Sequence, residues 1–368
     1  MPSIGSSFTY QDLPSSGQSF LDAVRSSCRA CVDRTDGLEV SADGVRSFLN
    51  DLNKAQFEEL LQDTSIRMPL KFDTTEQEIN SIAFVDLLNF GSGYRVPLHE
   101  AVDRGAFDTI RFGAMSHHIG GLPMTATYLR SISIFEVSQT FQIPLDREVH
   151  PEGMPFVTMS EPHELRKLAE GITSVLNETG LTLQEGGYTS LAHFILQATK
   201  PEDGKAPSAA ALVERLVRAF PGFRDMAKVD GQNVYLFKKA QILAYHLYIL
   251  FRTQDSARFD FADIDSLTIF SDNVVPTMLA HLGVIRIPDQ IARRVAAHED
   301  LGTADATRLR AAAVVACEEI IQATRGESTV GPVRNMKEVD LDVYLWRLGK
   351  VGAYREVTRF ELRDTVYF

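Results

Sequence analysis

Residues 237–251 read "FKKAQILAYHLYILF". Two lysines, Lys238 and Lys239, are followed by an almost unbroken apolar run. The stretch predicts a helix that is apolar on most of its sides, and a helix of that kind is covered by other elements rather than laid on a surface. It is therefore expected at the centre of the fold.

The segments around it carry the 3.6-residue period of amphipathic helices. In "SAAALVERLVRAFPGF" (208–223) Leu212, Val213, Leu216, Val217 and Phe220 fall on one face, opposite Glu214, Arg215 and Arg218. Ser208 is placed to cap this helix and Pro221 to end it. In "EPHELRKLAEGITSVLNETG" (161–180) Pro162 suits a first turn, Leu165, Leu168, Ile172, Val175 and Leu176 form a stripe, and Gly180 suits the residue after the last turn. "TRLRAAAVVACEEIIQAT" (307–324) reads as a further helix. Strand signals are few. Asp230-Gly231 between apolar residues predicts one small β-hairpin, and "SIAFVDLLNF" (81–90) fits either a buried strand or a buried helix. The polar stretches 199–208 and 325–335 read as loops. With no repeat and no linker, the expectation is a mostly α protein: a flexible N-terminus over 1–17, then a single helical domain over 18–368 with a small β-hairpin.

Composition narrows the function. The 368 residues are 44% hydrophobic and 23% charged, with a formal net charge of -12. Proteins that grip a long phosphate backbone present a basic face, so direct polynucleotide binding is not expected, while a local basic pocket for one phosphate remains open. The three cysteines cannot build a disulfide framework. Cys28 and Cys31 form a lone C-x-x-C without a second ligand pair, which reads as reduced thiols. No Lys or Arg precedes Arg25, so no leader is expected, and no apolar run reaches membrane-spanning length. A cytosolic or nuclear protein is the expectation.

Familiar site motifs are absent. Gly91-Ser92-Gly93 lacks the rest of a dinucleotide fingerprint and reads as a tight turn. There is no Walker A sequence and no G-x-S-x-G. His117 and His118, being adjacent, point in different directions, and a helix-end or loop role beside Gly120-Gly121 is the default. No metal site and no cofactor are implied. The carboxylates are more informative. Asp272, in "TIFSDNVVPTMLAHLG" (268–283), belongs on a short loop before a helix opened near Pro276, where it would serve as a cap or as a pocket acid. Asp340 suits the first turn of a helix over "VDLDVYLWRLG" (339–349), facing the dipole. Asp342 and Trp346 are four apart and share a face, which sets a carboxylate beside an indole. Lys238 or Lys239 is either a solvated charge or a phosphate partner.

From about residue 80 onward, the chain resembles the queuosine salvage family, the queuosine 5'-phosphate N-glycosylase/hydrolases. The resemblance runs through "FVDLLNF" (84–90), "VLNETG" (175–180), "LVRAFPGFRD" (216–225), "FKKAQIL" (237–243), "IFSDNVVPTMLAHLG" (269–283), "LRAAAVVACEEI" (309–320), "DVYLWRLG" (342–349) and "LRDTVYF" (362–368). It implies a helical fold similar to helical DNA glycosylases. It also implies release of the 7-deazaguanine base queuine from queuosine 5'-phosphate, for reuse in tRNA modification. By the same resemblance Phe270 and Asp272 hold the base, Asp342 lines the base site, and Lys238 meets the 5'-phosphate. The family's pattern also carries an aspartate that acts in cleavage where this chain has Arg347, a tyrosine where it has Val343, and an acid where it has His246.

The chemistry sets its own demands. Cleaving an N-glycosidic bond develops positive charge on the sugar, which a carboxylate stabilises. A guanine-type edge offers two adjacent N–H donors that match a carboxylate, and a phenyl ring stacks on its face. Asp342 is thus expected at the sugar, with Asp86 or Asp340 behind it. Arg347, which stays cationic, is expected to bind phosphate or to pair with Asp342. Two alternatives stay open: a catalytically inactive relative that binds a modified base or nucleotide, and a hydrolase of a different nucleotide.

Overall fold

The computed structural model describes residues 8–15, 17–62, 67–154, 156–325 and 335–368. The described residues contain seventeen α-helices and three two-stranded antiparallel sheets. Buried apolar side chains form one connected cluster. Among the described residues no helix is long and apolar enough to cross a membrane.

The helix Lys238–Phe251 lies inside this cluster, with both lysines, Gln241 and most of its apolar residues buried. Its start is fixed from outside. Phe237 takes a left-handed conformation, φ 49°, that reverses the chain just before the helix. Asp225 then accepts a hydrogen bond from the Lys238 amide at 3.1 Å, a capping role. Gln241 holds the neighbouring extended segment: its amide donates to Leu236 O and Thr268 Oγ1, and its Oε1 accepts from Thr268 N at 2.9 Å.

The 81–90 ambiguity resolves as helix Thr75–Leu87, capped by Thr74 and buried along nearly all of its second half. The helix over 209–219 starts at Ser208, whose side chain accepts from Ala211 N, and ends before Pro221. The Asp230-Gly231 hairpin pairs Met226–Val229 with Gln232–Tyr235. Two sheets were not expected. One pairs the exposed strands Asp146–Val149 and Met159–Pro162, which lack apolar alternation; the other is a two-residue pairing of Glu39–Val40 with Ile285–Arg286.

That first sheet corrects the reading of 161–180. Pro162 closes a strand, and the helix runs from Arg166 to Glu185, past Gly180. Gly180 is there for packing: a Cβ on it would fall 2.2 Å from the Arg130 amide nitrogen of the crossing helix Ala126–Ser131. Of the N-terminal stretch expected to be flexible, residues 1–7 and 16 lie outside the described residues. Tyr10–Asp12 form a 3-10 turn, Leu13 is buried and the Tyr10 hydroxyl donates to Arg218 O at 2.8 Å. The 199–208 stretch is a loop with one isolated bridge, Glu202 to Lys205, and most of the 325–335 stretch lies outside the described residues.

Candidate active site

The C-terminal end of helix Thr75–Leu87, the start of the central helix, segment 268–274 and helix Glu338–Leu348 meet around a pocket of two lobes. Asn89, Phe107, Lys238, Asp272 and Trp346 line both and mark the junction.

One lobe, about 120 Å³, is walled by Met68, Ile82, Val85, Ile242, Tyr245 and Phe270 and carries, besides the junction's residues, Asp86, Arg111, His246, Asp342 and Arg347 as polar groups. Its aromatic wall is the Tyr245 and Phe270 rings, tilted by 49° with their centroids 5.6 Å apart. The Phe270 amide donates to Asp342 Oδ1 at 2.7 Å, so helix Glu338–Leu348 and segment 268–274 are tied at the acid itself. Burial, then the nearby Asp272 charge, pushes the Asp342 carboxyl up to about 8. The His246 ring sits with Nδ1 3.0 and 2.9 Å from the two carboxylate oxygens of Asp86.

The other lobe, about 280 Å³, is cationic. Arg95, His99, Lys350, Arg355 and Arg359 line it with the junction's Lys238, and Asp108 and the junction's Asp272 are its acids. This concentration of positive charge is local in a chain of net charge -12. Burial holds the Lys350 ammonium down at about 8, and that group lies 3.2 Å from the Trp346 ring centroid, within cation–π range. The Ser92 hydroxyl in the same wall is buried with no hydrogen-bond partner among the described residues. The wall takes its shape from Gly91-Ser92-Gly93, a turn with Gly91 at φ 100° and a 3-10 segment Ser92–Tyr94; a Cβ on Gly93 would fall 2.2 Å from Leu362 O.

The expected residues can now be placed. Asp272, Asp342, Phe270, Lys238 and Arg347 all line the pocket. Asp272 is both things the sequence allowed: its Oδ1 caps helix Val274–His281 by accepting from Val274 N at 2.6 Å and Val275 N at 3.3 Å, and its side chain faces both lobes. Lys238 turns inward, donating to the Asn89 carbonyl at 2.9 Å and Asn89 Oδ1 at 3.2 Å, while burial lowers its pKa. Lys239 is wholly buried and structural, donating to Leu87 O and Val366 O.

Two residues take positions that spacing alone leaves open. Asp342 stands in the apolar lobe, and it is Asp272 that stands at the junction; the Phe270 amide draws the Asp342 side chain inward along its helix face. Arg347 also lines the apolar lobe rather than the cationic one, its guanidinium reaching the Leu60 carbonyl. Asp340 stays at the helix start, accepting from Lys337 N at 3.0 Å, whereas Asp86 reaches the apolar lobe. His117 and His118 occupy the last turn of helix Ala106–Ile119; His117 is buried against Phe84, Phe141 and Tyr128, and His118 bonds Lys71 O. Spacing picks out none of Lys350, Arg355 and Arg359, which approach from the turn after helix Glu338–Leu348, a 3-10 segment and an irregular stretch. Among the described residues no group of three His, Cys, Asp or Glu is arranged to hold a metal ion.

Comparison with known proteins follows the same lines. The family described as "Queuosine salvage protein" matches residues 149–368. The chain is 33% identical over 210 residues to the queuosine 5'-phosphate N-glycosylase/hydrolase of Sphaerobacter thermophilus, covering 54% of this chain and 62% of that protein. To the protein of the same name from Mus musculus it is 27% identical over 235 residues, 61% of each chain. To that from Nematostella vectensis it is 28% identical over 234 residues, 60% of this chain and 65% of the relative. The alignments thus span less than two thirds of each relative's length. The family match takes in the central helix, segment 268–274 and helix Glu338–Leu348, which supply Lys238, Asp272 and Asp342 to the pocket, and on that extent the chain belongs to the queuosine salvage protein family.

Proposed function

We propose that this protein hydrolyses the N-glycosidic bond of queuosine 5'-phosphate and releases queuine. The observation that carries the reading is the division of one pocket into an apolar lobe ending in a buried carboxyl and a cationic lobe, joined at Asp272 and Lys238. A nucleotide has the same division: a flat base at one end, a dianion at the other, and the scissile bond between them. The names of the relatives support the same substrate.

In this reading the base enters the apolar lobe against Phe270 and Tyr245, and its N–H edge meets Asp342. The match strengthens with ionisation of that carboxyl, since a carboxylate accepts from both donors. The 5'-phosphate lies with Lys350, Arg359 and Arg95, and the Ser92 hydroxyl supplies a further donor. Lys238 sits nearer the junction, where it orients Asp272 and the ribose. Asp272 faces the anomeric carbon. Its negative charge stabilises the oxocarbenium-like sugar and takes the proton of an attacking water. Because Asp272 is anchored by two backbone amides, little reorganisation accompanies that charge development. The cations being gathered inside a pocket favours a small-molecule anion over a polynucleotide. Three buried free cysteines suit a reducing compartment, which supports a cytosolic or nuclear location.

A second reading, binding without cleavage, is favoured by Arg347: a permanent cation in the base lobe adds no acid to the reaction. One assay separates the two. Incubation with queuosine 5'-phosphate, with free queuine followed by mass spectrometry, yields turnover that Asp272→Asn abolishes if the hydrolase reading holds. Saturable binding without release of base supports the second reading.

A further inference from the structure

His246 and Asp86 form a paired imidazole and carboxylate within the apolar lobe, and nothing in the mechanism above uses them. Asp86 is 1% exposed and receives Nδ1 of His246 between its two oxygens, at 3.0 and 2.9 Å. The ring itself keeps 17% exposure and lines the lobe together with Phe270, Tyr245 and Asp342. A carboxylate on Nδ1 fixes both the orientation of an imidazole and the nitrogen left for other work. Here that nitrogen is Nε2. Burying a carboxylate this deeply is costly unless a partner meets it, so the pair favours a proton on Nδ1, between the two oxygens of Asp86.

We propose that His246, oriented by Asp86, is the acid that protonates the departing base. The inference rests on the hydrolase reading above and deepens it. A base of the 7-deaza type lacks the ring nitrogen that usually accepts a proton, so its departure leaves negative charge spread over the ring system. An imidazolium in the wall of the base lobe meets that charge where it develops. The step balances. The C1'–N bond breaks with its electron pair going to the base, and the Nε2 proton of His246 goes to the base. Water gives its oxygen to C1', and its proton passes to the Asp272 carboxylate. Solvent then returns a proton to His246 and accepts one from Asp272. Asp86 touches no substrate and is a positioning residue. The other polar groups of the lobe are less suited. Arg111 and Arg347 cannot release a proton at accessible pH, Lys238 is held by Asn89, and Asp342 already has one oxygen committed to the Phe270 amide.

The test varies the leaving group. Queuosine 5'-phosphate needs a proton at departure; 4-nitrophenyl riboside 5-phosphate does not, because nitrophenolate leaves as a stable anion. His246→Gln keeps an amide N–H for Asp86. It is expected to lose about 10²-fold or more in kcat on queuosine 5'-phosphate, in line with general acid catalysis, and to stay within about threefold of wild type on the nitrophenyl compound. Asp86→Asn shows the same asymmetry, less deeply. A merely structural defect lowers both rates together, and that result, or no loss on either substrate, overturns the inference while leaving the hydrolase reading intact. So does asymmetry that appears in Asp342→Asn instead. Wild type that cleaves only the nitrophenyl compound has no acid for a base and also overturns it. Wild type that cleaves neither removes the hydrolase reading and this inference with it.

Discussion

Arg310 meets Asp225 end-on through Nη1 and Nη2, with hydrogen bonds of 2.9 and 2.6 Å between side chains that are almost fully buried. The same guanidinium donates from Nε to Ser271 O at 2.8 Å, and Asp225 caps the central helix through the Lys238 amide. One ion pair therefore holds in register the two pocket residues that neighbour it, Lys238 and Asp272. Removing one partner leaves a buried charge unanswered, which typically costs about 3–5 kcal/mol. Arg310→Met is expected to lower unfolding stability on that scale in urea titrations, and Asp225→Asn by less. Pairing Asp225→Leu with Arg310→Met should recover part of the loss, because no charge is then left alone.

The raised Asp342 carboxyl makes a signed prediction. Its folded value, about 8, lies above the ordinary 3.8 of an aspartate. The folded protein therefore holds a proton there that the unfolded chain gives up. Its contribution to stability is full below about pH 4 and is lost progressively as pH rises through about 8, at up to about 1.4 kcal/mol per pH unit. Asp342→Asn cannot ionise. Measured by urea unfolding, the stability of the variant relative to wild type is expected to climb between those limits and then level off. A difference that does not change with pH contradicts the assignment.

The cationic lobe has its own pH signature. With the Lys350 ammonium held down at about 8, binding of ribose 5-phosphate is expected to weaken as pH rises through that value. Lys350→Arg should remove the decline, since the guanidinium stays charged. Lys350→Gln and Arg359→Gln should each weaken ribose 5-phosphate about tenfold or more, the scale of one hydrogen bond to a charged group, and leave ribose almost unaffected. Isothermal titration reads both.

Gly180 supplies a packing test away from the pocket. With the Arg130 amide 2.2 Å from where a Cβ would stand, Gly180→Ala forces the two helices apart. A loss of about 1–3 kcal/mol is expected from overpacking, although alanine is the better helix former. Thermal unfolding should register it as a lowered Tm.

What the sequence disclosed, and what it hid, follows physical range. The central helix was legible because an apolar stretch on all sides has few other fates, and the Asp230-Gly231 turn because its chemistry is local. Asp272 and Asp342 were singled out from a proline nearby and an i, i+4 indole, both short-range signals. Which of them stands at the junction was not readable, since a single backbone contact, Phe270 N to Asp342, decides it across 72 positions. Lys350, Arg355 and Arg359 carry no period because no helix presents them together. Gly180 misled because a glycine that ends a helix and one that lets another helix approach look alike until the neighbour is known.

Lys239 and Gly91 have a consequence for how the pocket is made and unmade. Val366 O accepts from the Lys239 amine and Phe368 O from the Gly91 amide at 3.0 Å. Deleting residues 366–368 would take one of two carbonyl partners from the interior Lys239 amine and an aromatic ring from the cationic wall, leaving the helices far from it untouched. Ligand affinity should therefore vanish in a chain whose circular dichroism is unchanged.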